Sequence, residues 1–350
     1  MNLKLSPITI ISLSIIVLTS VILILFKDNK QQVTEVNIPP TNEVLTNTNS
    51  PVSSETINSP DSTSTSTLNP LVDGTTIASD TSLKTGNFYI TKNVVEVYEK
   101  PDQNSERVTQ ALHGEPVKII EKQGNWLKVT LTDQFDYSGW LKEENIKNIP
   151  ADQQWLNPYI IAVLQAKVLV NPHNNNEVME ILGIGTVVNA ESSSDLAEFT
   201  KIQLVDGRKG YIKTTDLLKY NQKTGSQVSG EEILRTAKQL LNKPYLWGGM
   251  STNGVDCSGF VHTVFKVHGI KLHRDADLQY EYDGVSIAQS ELQTGDLIFF
   301  KTYKSGASHL GIYVGNRQFI NSASSLGVSY ASLDNPYFSE RYLGAKRILN

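Results

Sequence analysis

GVDCSGFVHTVF, residues 254–265, carries the only cysteine in a chain of 350 residues. Asp256 is a helix N-cap residue type, Val261, Val264 and Phe265 recur at helical spacing, and Gly269 is placed to end the helix. Cys257 therefore falls in the first turn. There the unpaired amides and the positive dipole end favour an anion, so the thiol pKa is expected to be lowered and a developing oxyanion can be received. A free cysteine is more often a small buried hydrophobe. The Gly-rich approach and polar flanks of Cys257 favour a nucleophile instead.

A thiolate nucleophile needs a base. Of the six histidines, His113 and His173 lie far upstream, and His262 is about 140° around the helix from Cys257. His268 is on the right face but about 16 Å along it, and His273, in the loop beyond the helix, is less easily set aside. His309 opens the strand HLGIYVG after the apolar strand 296–300, where it can face a helix N-terminus packed on the sheet. Asn321, in QFINS on the next strand, is the polar residue available to orient its imidazole. The two are 12 apart, so they share a face only if their hairpin has an odd loop or a bulge that pairs Asn321 with Gly311.

Upstream of the thiol, two segments share one pattern. GEPVKII (114–120), Trp126–Val129 and Gly139–Leu141 recur as GTVVNA (185–190), Phe199–Ile202 and Gly210–Ile212. Each is a Gly-led turn, an aromatic-led alternating strand and a Gly-aromatic-aliphatic strand, which reads as a duplicated small β-barrel. The first copy has two extra residues, TLTDQFDYSG against QLVDGRKG, which place Phe135 and Tyr137 in a loop that reads either as a contact surface or as a longer hairpin.

Residues 8–26 form an uncharged apolar run close to the length of a membrane span, with no small-residue cleavage site after it, so an uncleaved anchor is favoured over a signal peptide. Residues 28–85 lack aromatics, and 39–70 are about three-quarters Ser, Thr, Asn and Pro, the composition of a solvated, disordered tether. This order places the folded part on the extracellular side of a membrane. The net charge of −5, without long basic runs, argues against nucleic acid as a partner. No H-E-x-x-H or clustered ligand spacing occurs, so neither metal nor other cofactor is expected.

The blocks PYLWGG, DCSGF, TGDLIFF and SHLGIYVGN, in this order, resemble the NlpC-type cell-wall peptidases, a papain-like superfamily, and the repeats resemble bacterial SH3-like domains. The resemblance implies an α+β papain-like domain at 229–350, preceded by two SH3-like barrels at 86–149 and 158–220, a linker at 28–85 and an anchor within 1–27. It implies Cys257 as nucleophile, His309 as base and then acid, and Tyr245 near the thiol. Asn321 departs from the histidine often found at the third position, but its amide oxygen can hold the imidazole tautomer. The stretch 273–277 resembles the site for the free amine of a substrate's first L-alanine, with Asp275 and Asp256 supplying charge. Asp275 also reads as a helix N-cap. Trp247 and Ser258 in the same blocks, with Tyr137, complete the expected substrate contacts.

The implied reaction is hydrolysis of the γ-D-glutamyl-diamino-acid bond of peptidoglycan stem peptides, with preference for a free N-terminal L-alanine, and the implied partners are peptidoglycan or muropeptides and, through the N-terminal segment, the membrane. Muramoyl-alanine amidase, acyl transfer with the same thiol, and non-catalytic wall binding through the barrels are the alternatives.

Overall fold

The computed structural model describes residues 86–150, 156–174, 177–191, 198–221 and 225–349. The anchor and tether assigned to residues 1–85 lie outside these. Among the described residues no helix is long and apolar enough to cross a membrane.

Strict alternation builds the first barrel: WLKVTL buries Leu127, Val129 and Leu131 on one face. Its strands are β1 (Asn87–Ile90), β2 (Val94–Tyr98), β3 (Arg107–Leu112), β4 (Pro116–Gln123), β5 (Trp126–Leu131), β6 (Tyr137–Lys142) and β7 (Ile146–Ile149), in sheet order β3-β2-β6-β5-β4-β1-β7. The second has β8 (Pro158–Ile161), β9 (Gln165–Leu169), β10 (Val178–Gly183), β11 (Val187–Ala190), β12 (Phe199–Gln203), β13 (Lys209–Lys213) and β14 (Leu217–Lys219), in order β10-β9-β13-β12-β11-β8-β14. The orders are the same strand for strand, as a duplication requires. The turns at Gly114 and Gly185 have φ of 81° and 83°, a left-handed backbone that explains the glycine at both positions.

The extra residues of the first copy are used otherwise than expected. Thr132–Gln134 form a 3₁₀ turn, Phe135 and Asp136 take left-handed φ of 54° and 56°, and Tyr137 opens β6 instead of lying in a loop. This winds the chain up before the strand, and strand geometry then aims the tyrosine.

In the C-terminal part, α1 (Gly230–Gln239) starts at Ser229 with a capping box to Glu232. A two-stranded ribbon, β15 (Met250–Ser251) and β16 (Gly254–Val255), leads into α2 (Cys257–Val267), followed by α3 (Ala276–Tyr282). An antiparallel sheet then forms from β17 (Val285–Ile287), β18 (Leu297–Phe300), β19 (His309–Gly315), β20 (Gln318–Ala323), β21 (Gly327–Ser332) and β22 (Tyr342–Arg347), in order β17-β22-β18-β19-β20-β21, with α4 (Pro336–Ser339) before β22. Phe260, Val261, Val264 and Phe265 of α2 pack with Leu310, Ile312 and Ile320 of the sheet.

Every residue of α2 is buried, polar ones included. The reason is that the barrels cover the side the sheet leaves open: Lys266 lies 3.8 Å from Glu115 and 3.7 Å from Asp133, and Gly185 sits against Thr263. The helix that carries the thiol is thus held by three elements distant in sequence.

Candidate active site

Asp256 caps α2 by accepting the Gly259 amide at 2.7 Å, and Cys257 follows as the first helical residue. The Ser258 and Leu310 amides are directed at its sulfur, which places the thiol beside the start of β19. The sulfur does not have the lowered pKa expected of a helix N-terminus. Burial first, and the Asp256 carboxylate second, push it up to about 12, outweighing the two amides and Arg274. The resting group is a neutral thiol.

The hairpin β19–β20 pairs Gly311 with Asn321 and shifts register between Tyr313 and Gly315, closing on a two-residue turn at Asn316–Arg317. This bulge supplies the parity that brings Asn321 to the histidine's face. His309 Nε2 lies 2.9 Å from Asn321 Oδ1. Asn321 Nδ2 donates to the Ser329 carbonyl at 3.3 Å, which fixes the amide's orientation. Oδ1 can only accept, so Nε2 carries the proton and Nδ1 keeps its lone pair. Burial lowers the His309 pKa, against the pull of Asn321, so the imidazole rests neutral. His273 is engaged elsewhere: its Nδ1 lies 2.7 Å from Asp283 and its ring stacks on Phe135 at 4.2 Å.

Cys257 opens onto a cavity of about 310 Å³ walled by β3, β6, the 245–248 loop, the two helix starts and the loop before β19. Tyr137, Tyr245, Trp247, Asp256, Ser258 and Asp275 all line it. Their free polar atoms are distributed unequally. Asp256 receives two bonds from Arg274, at 3.1 and 2.7 Å, besides the Gly248 amide at 2.9 Å, and Ser258 accepts from Arg274 at 3.0 Å. The charge expected from Asp256 for a substrate amine is therefore spent inside the protein, because a buried guanidinium and a buried carboxylate must pair.

Asp275 sits at the N-cap position of α3 but makes no side-chain cap bond. It accepts instead from the Tyr137 hydroxyl at 3.2 Å, across 138 residues of chain. Burial raises its pKa, more than Arg274 and Tyr137 lower it. Tyr245 stands beside the thiol, and its own pKa is raised by burial and by Cys257. Trp247 is half exposed and donates to Glu106 at 2.7 Å.

Arg274, Glu106, Tyr303 and Lys304 escaped the sequence reading. Arg274 is 1% exposed and also donates to Thr109 on β3 at 2.8 Å, so it ties the first barrel to the helix cap. A lone arginine flanked by His273 and Asp275 carries no local signal of burial. Glu106 lies in the turn before β3, and Tyr303 and Lys304 lie in the loop before His309, where only the fold brings them to the cavity.

Comparison with known proteins agrees with this geometry. Residues 242–347 match the NlpC/P60 family, and residues 97–146 match the bacterial dipeptidyl-peptidase Sh3 domain. A Bacillus cereus gamma-D-glutamyl-L-lysine dipeptidyl-peptidase is 30% identical over 256 residues, covering 69% of this chain and 75% of that protein. The chain belongs to the NlpC/P60 family. It is a cysteine-type peptidase with an SH3-like all-β region ahead of its catalytic domain. The crystal structure of an NlpC/P60 family protein from Bacillus cereus superposes with a TM-score of 0.66 at 26% identity, covering 75% of this chain and all of that one. The probable peptidoglycan endopeptidase LytE of Bacillus subtilis is 46% identical over 116 residues, 33% of this chain and 34% of that protein.

Proposed function

We propose that this enzyme hydrolyses the γ-D-glutamyl-diamino-acid bond of peptidoglycan stem peptides and prefers stems with a free N-terminal L-alanine. The observation that carries the reading is the Tyr137–Asp275 pair, an acidic group at the edge of the catalytic cavity that is not neutralised by the nearby arginine's hydrogen bonds. A carboxylate so placed suits an ammonium, and the relatives named for γ-D-glutamyl-L-lysine dipeptides and for peptidoglycan support the substrate class.

In this reading Cys257 attacks the γ-carbonyl of D-glutamate while His309 Nδ1 takes the thiol proton. A neutral pair suits transfer during attack, since an isolated thiolate is disfavoured by burial. Amides at the start of α2 receive the oxyanion. The protonated imidazole, held by Asn321, gives its proton to the departing amine, and a thioester remains. Water, deprotonated by His309, then releases the dipeptide and restores the thiol.

Arg274 positions two parts of this site at once, the cap of the catalytic helix and the β3 wall of the barrel. The barrel then forms one wall of the active site. Incubating residues 86–350 with L-Ala-γ-D-Glu-diamino-acid tripeptide, its N-acetyl form and a muramyl form, with product masses as readout, tests the proposal. Release of L-Ala-γ-D-Glu from the free tripeptide at much the highest kcat/KM is expected. Equal rates on all three overturn the amine preference, and cleavage at the muramoyl amide overturns the bond assignment.

A further inference from the structure

Charge is distributed unevenly around the catalytic cavity. Glu106, Asp256 and Asp275 line it, and Lys304 is the one cationic side chain among the described residues that do. Arg274, whose charge offsets Asp256, is 1% exposed and takes no part in the lining. The proposed substrate carries an anion into this acidic space. Between its ammonium and the scissile γ-carbonyl stands the α-carboxylate of D-glutamate, two methylene groups short of the carbonyl. A carboxylate brought among three others must find a cation or a free donor.

Most donors at hand are spent. Tyr137 donates to Asp275 at 3.2 Å, Trp247 to Glu106 at 2.7 Å and Ser258 to Asp256 at 3.3 Å. Ala276, next to Asp275 in the lining, has only a methyl group to offer. Lys304 is different. Its ammonium makes one hydrogen bond among the described residues, to Asp277 at 2.7 Å, and an ammonium has three to give. The two side chains of that pair are 44% and 47% exposed, so the pair holds the lysine only weakly.

The position of Lys304 follows from its anchors. Asp277 lies in the first turn of α3, directly after Ala276, so the ion pair holds the ammonium near Asp275, whose charge it feels. Tyr303 extends the same loop toward the nucleophile. It lines the cavity, its hydroxyl lies in the field of both Cys257 and Asp275, and its ring meets Trp247 edge-on at 6.1 Å. Tyr303 and Lys304 together therefore cover the stretch between the amine edge and the thiol, which is the stretch the D-glutamyl α-carbon must occupy.

We infer that Lys304 binds the α-carboxylate of the D-glutamyl residue and so selects stems in which that group is free over stems in which it is amidated. This rests on the function proposed above. Asp277 is then the resting partner that keeps the ammonium at the cavity until a substrate carboxylate shares it. Sequence hides the arrangement, since Lys304 stands 27 positions from Asp277, in a loop with no local motif.

The test compares kcat/KM for L-Ala-γ-D-Glu-L-diamino acid with that for the same peptide carrying a carboxamide in place of the D-glutamyl α-carboxylate, in wild type, Lys304→Met, Lys304→Arg and Asp277→Asn. Wild type should prefer the carboxylate about tenfold, the lower end of what a hydrogen bond to a charged group contributes. The ratio should fall toward one in Lys304→Met. It should be largely kept in Lys304→Arg, and also in Asp277→Asn, which breaks the ion pair but leaves the ammonium. A wild-type ratio near one, or a ratio that Lys304→Met leaves unchanged, overturns the subsite and leaves the bond assignment standing. An equal fall in Asp277→Asn and Lys304→Met means that the pair only shapes the loop, and overturns the subsite too. Failure to cleave either peptide overturns the bond assignment and the subsite with it.

Discussion

Replacing Asp275 by Asn removes the negative charge facing the cavity while keeping a side chain of the same shape. The carboxylate is half-buried and bonded to Tyr137 at 3.2 Å, so an ammonium brought against it would form a partly desolvated charge pair. Loss of one partner from such a pair costs about 2 kcal/mol at the lower end of the range, the end suited to a half-buried group. That corresponds to roughly a 30-fold fall in kcat/KM for the free-amine tripeptide. The N-acetyl tripeptide, which carries no charge there, should change little, so the free-to-acetyl ratio should collapse. Steady-state kinetics on both peptides between pH 4 and 8 adds a second readout. Because burial raises the Asp275 pKa, wild-type preference for the free amine should already decline as pH falls through the weakly acidic range, above the ordinary aspartate value. In Asp275→Asn the ratio should be flat with pH. An unchanged ratio in Asp275→Asn, with its loss in Glu106→Gln, would refute the assignment and move the amine to the Trp247–Glu106 edge of the cavity.

Cys257→Ser should lose at least about three orders of magnitude in rate with little change in Tm. Alkylation of the wild-type thiol should accelerate steadily up to at least pH 10, because its pKa is pushed up to about 12, and a plateau below pH 8 would contradict a neutral resting thiol. Asn321→Ala frees the imidazole that Oδ1 holds at 2.9 Å, so kcat should drop roughly 10- to 100-fold, less than removal of the base itself, with KM nearly constant; parity with wild type would remove Asn321 from the site. His262 is buried beside Lys266 and Arg274, and burial first, then those cations, lower its pKa to about 3. The unfolded chain therefore binds the extra proton between pH 6.5 and 3, so stability present above pH 6.5 is lost as pH falls through that window, on the order of 5 kcal/mol in all. Melting curves of His262→Leu should show a shallower acid loss than wild type, and identical slopes would refute this source.

Helix α2 and its Asp256 cap, the Ser229 capping box, the duplicated barrel and the parity of the His309–Asn321 hairpin were all legible in the sequence. Caps, side-chain periodicity and turn geometry act over a few residues, and a duplicated pattern repeats such local signals. Tertiary structure alone decided how the charges are used. Burial under the barrels and sheet reversed the expected direction of the thiol pKa, because desolvation depends on everything packed around a group and not on the helix that carries it. Arg274 consumed the charge of Asp256, and Tyr137, expected in a loop, reached Asp275 from the first strand position across 138 residues. Helix ends and strand faces are written locally, whereas which carboxylate stays free for a substrate follows from long-range pairing that only the closed fold defines.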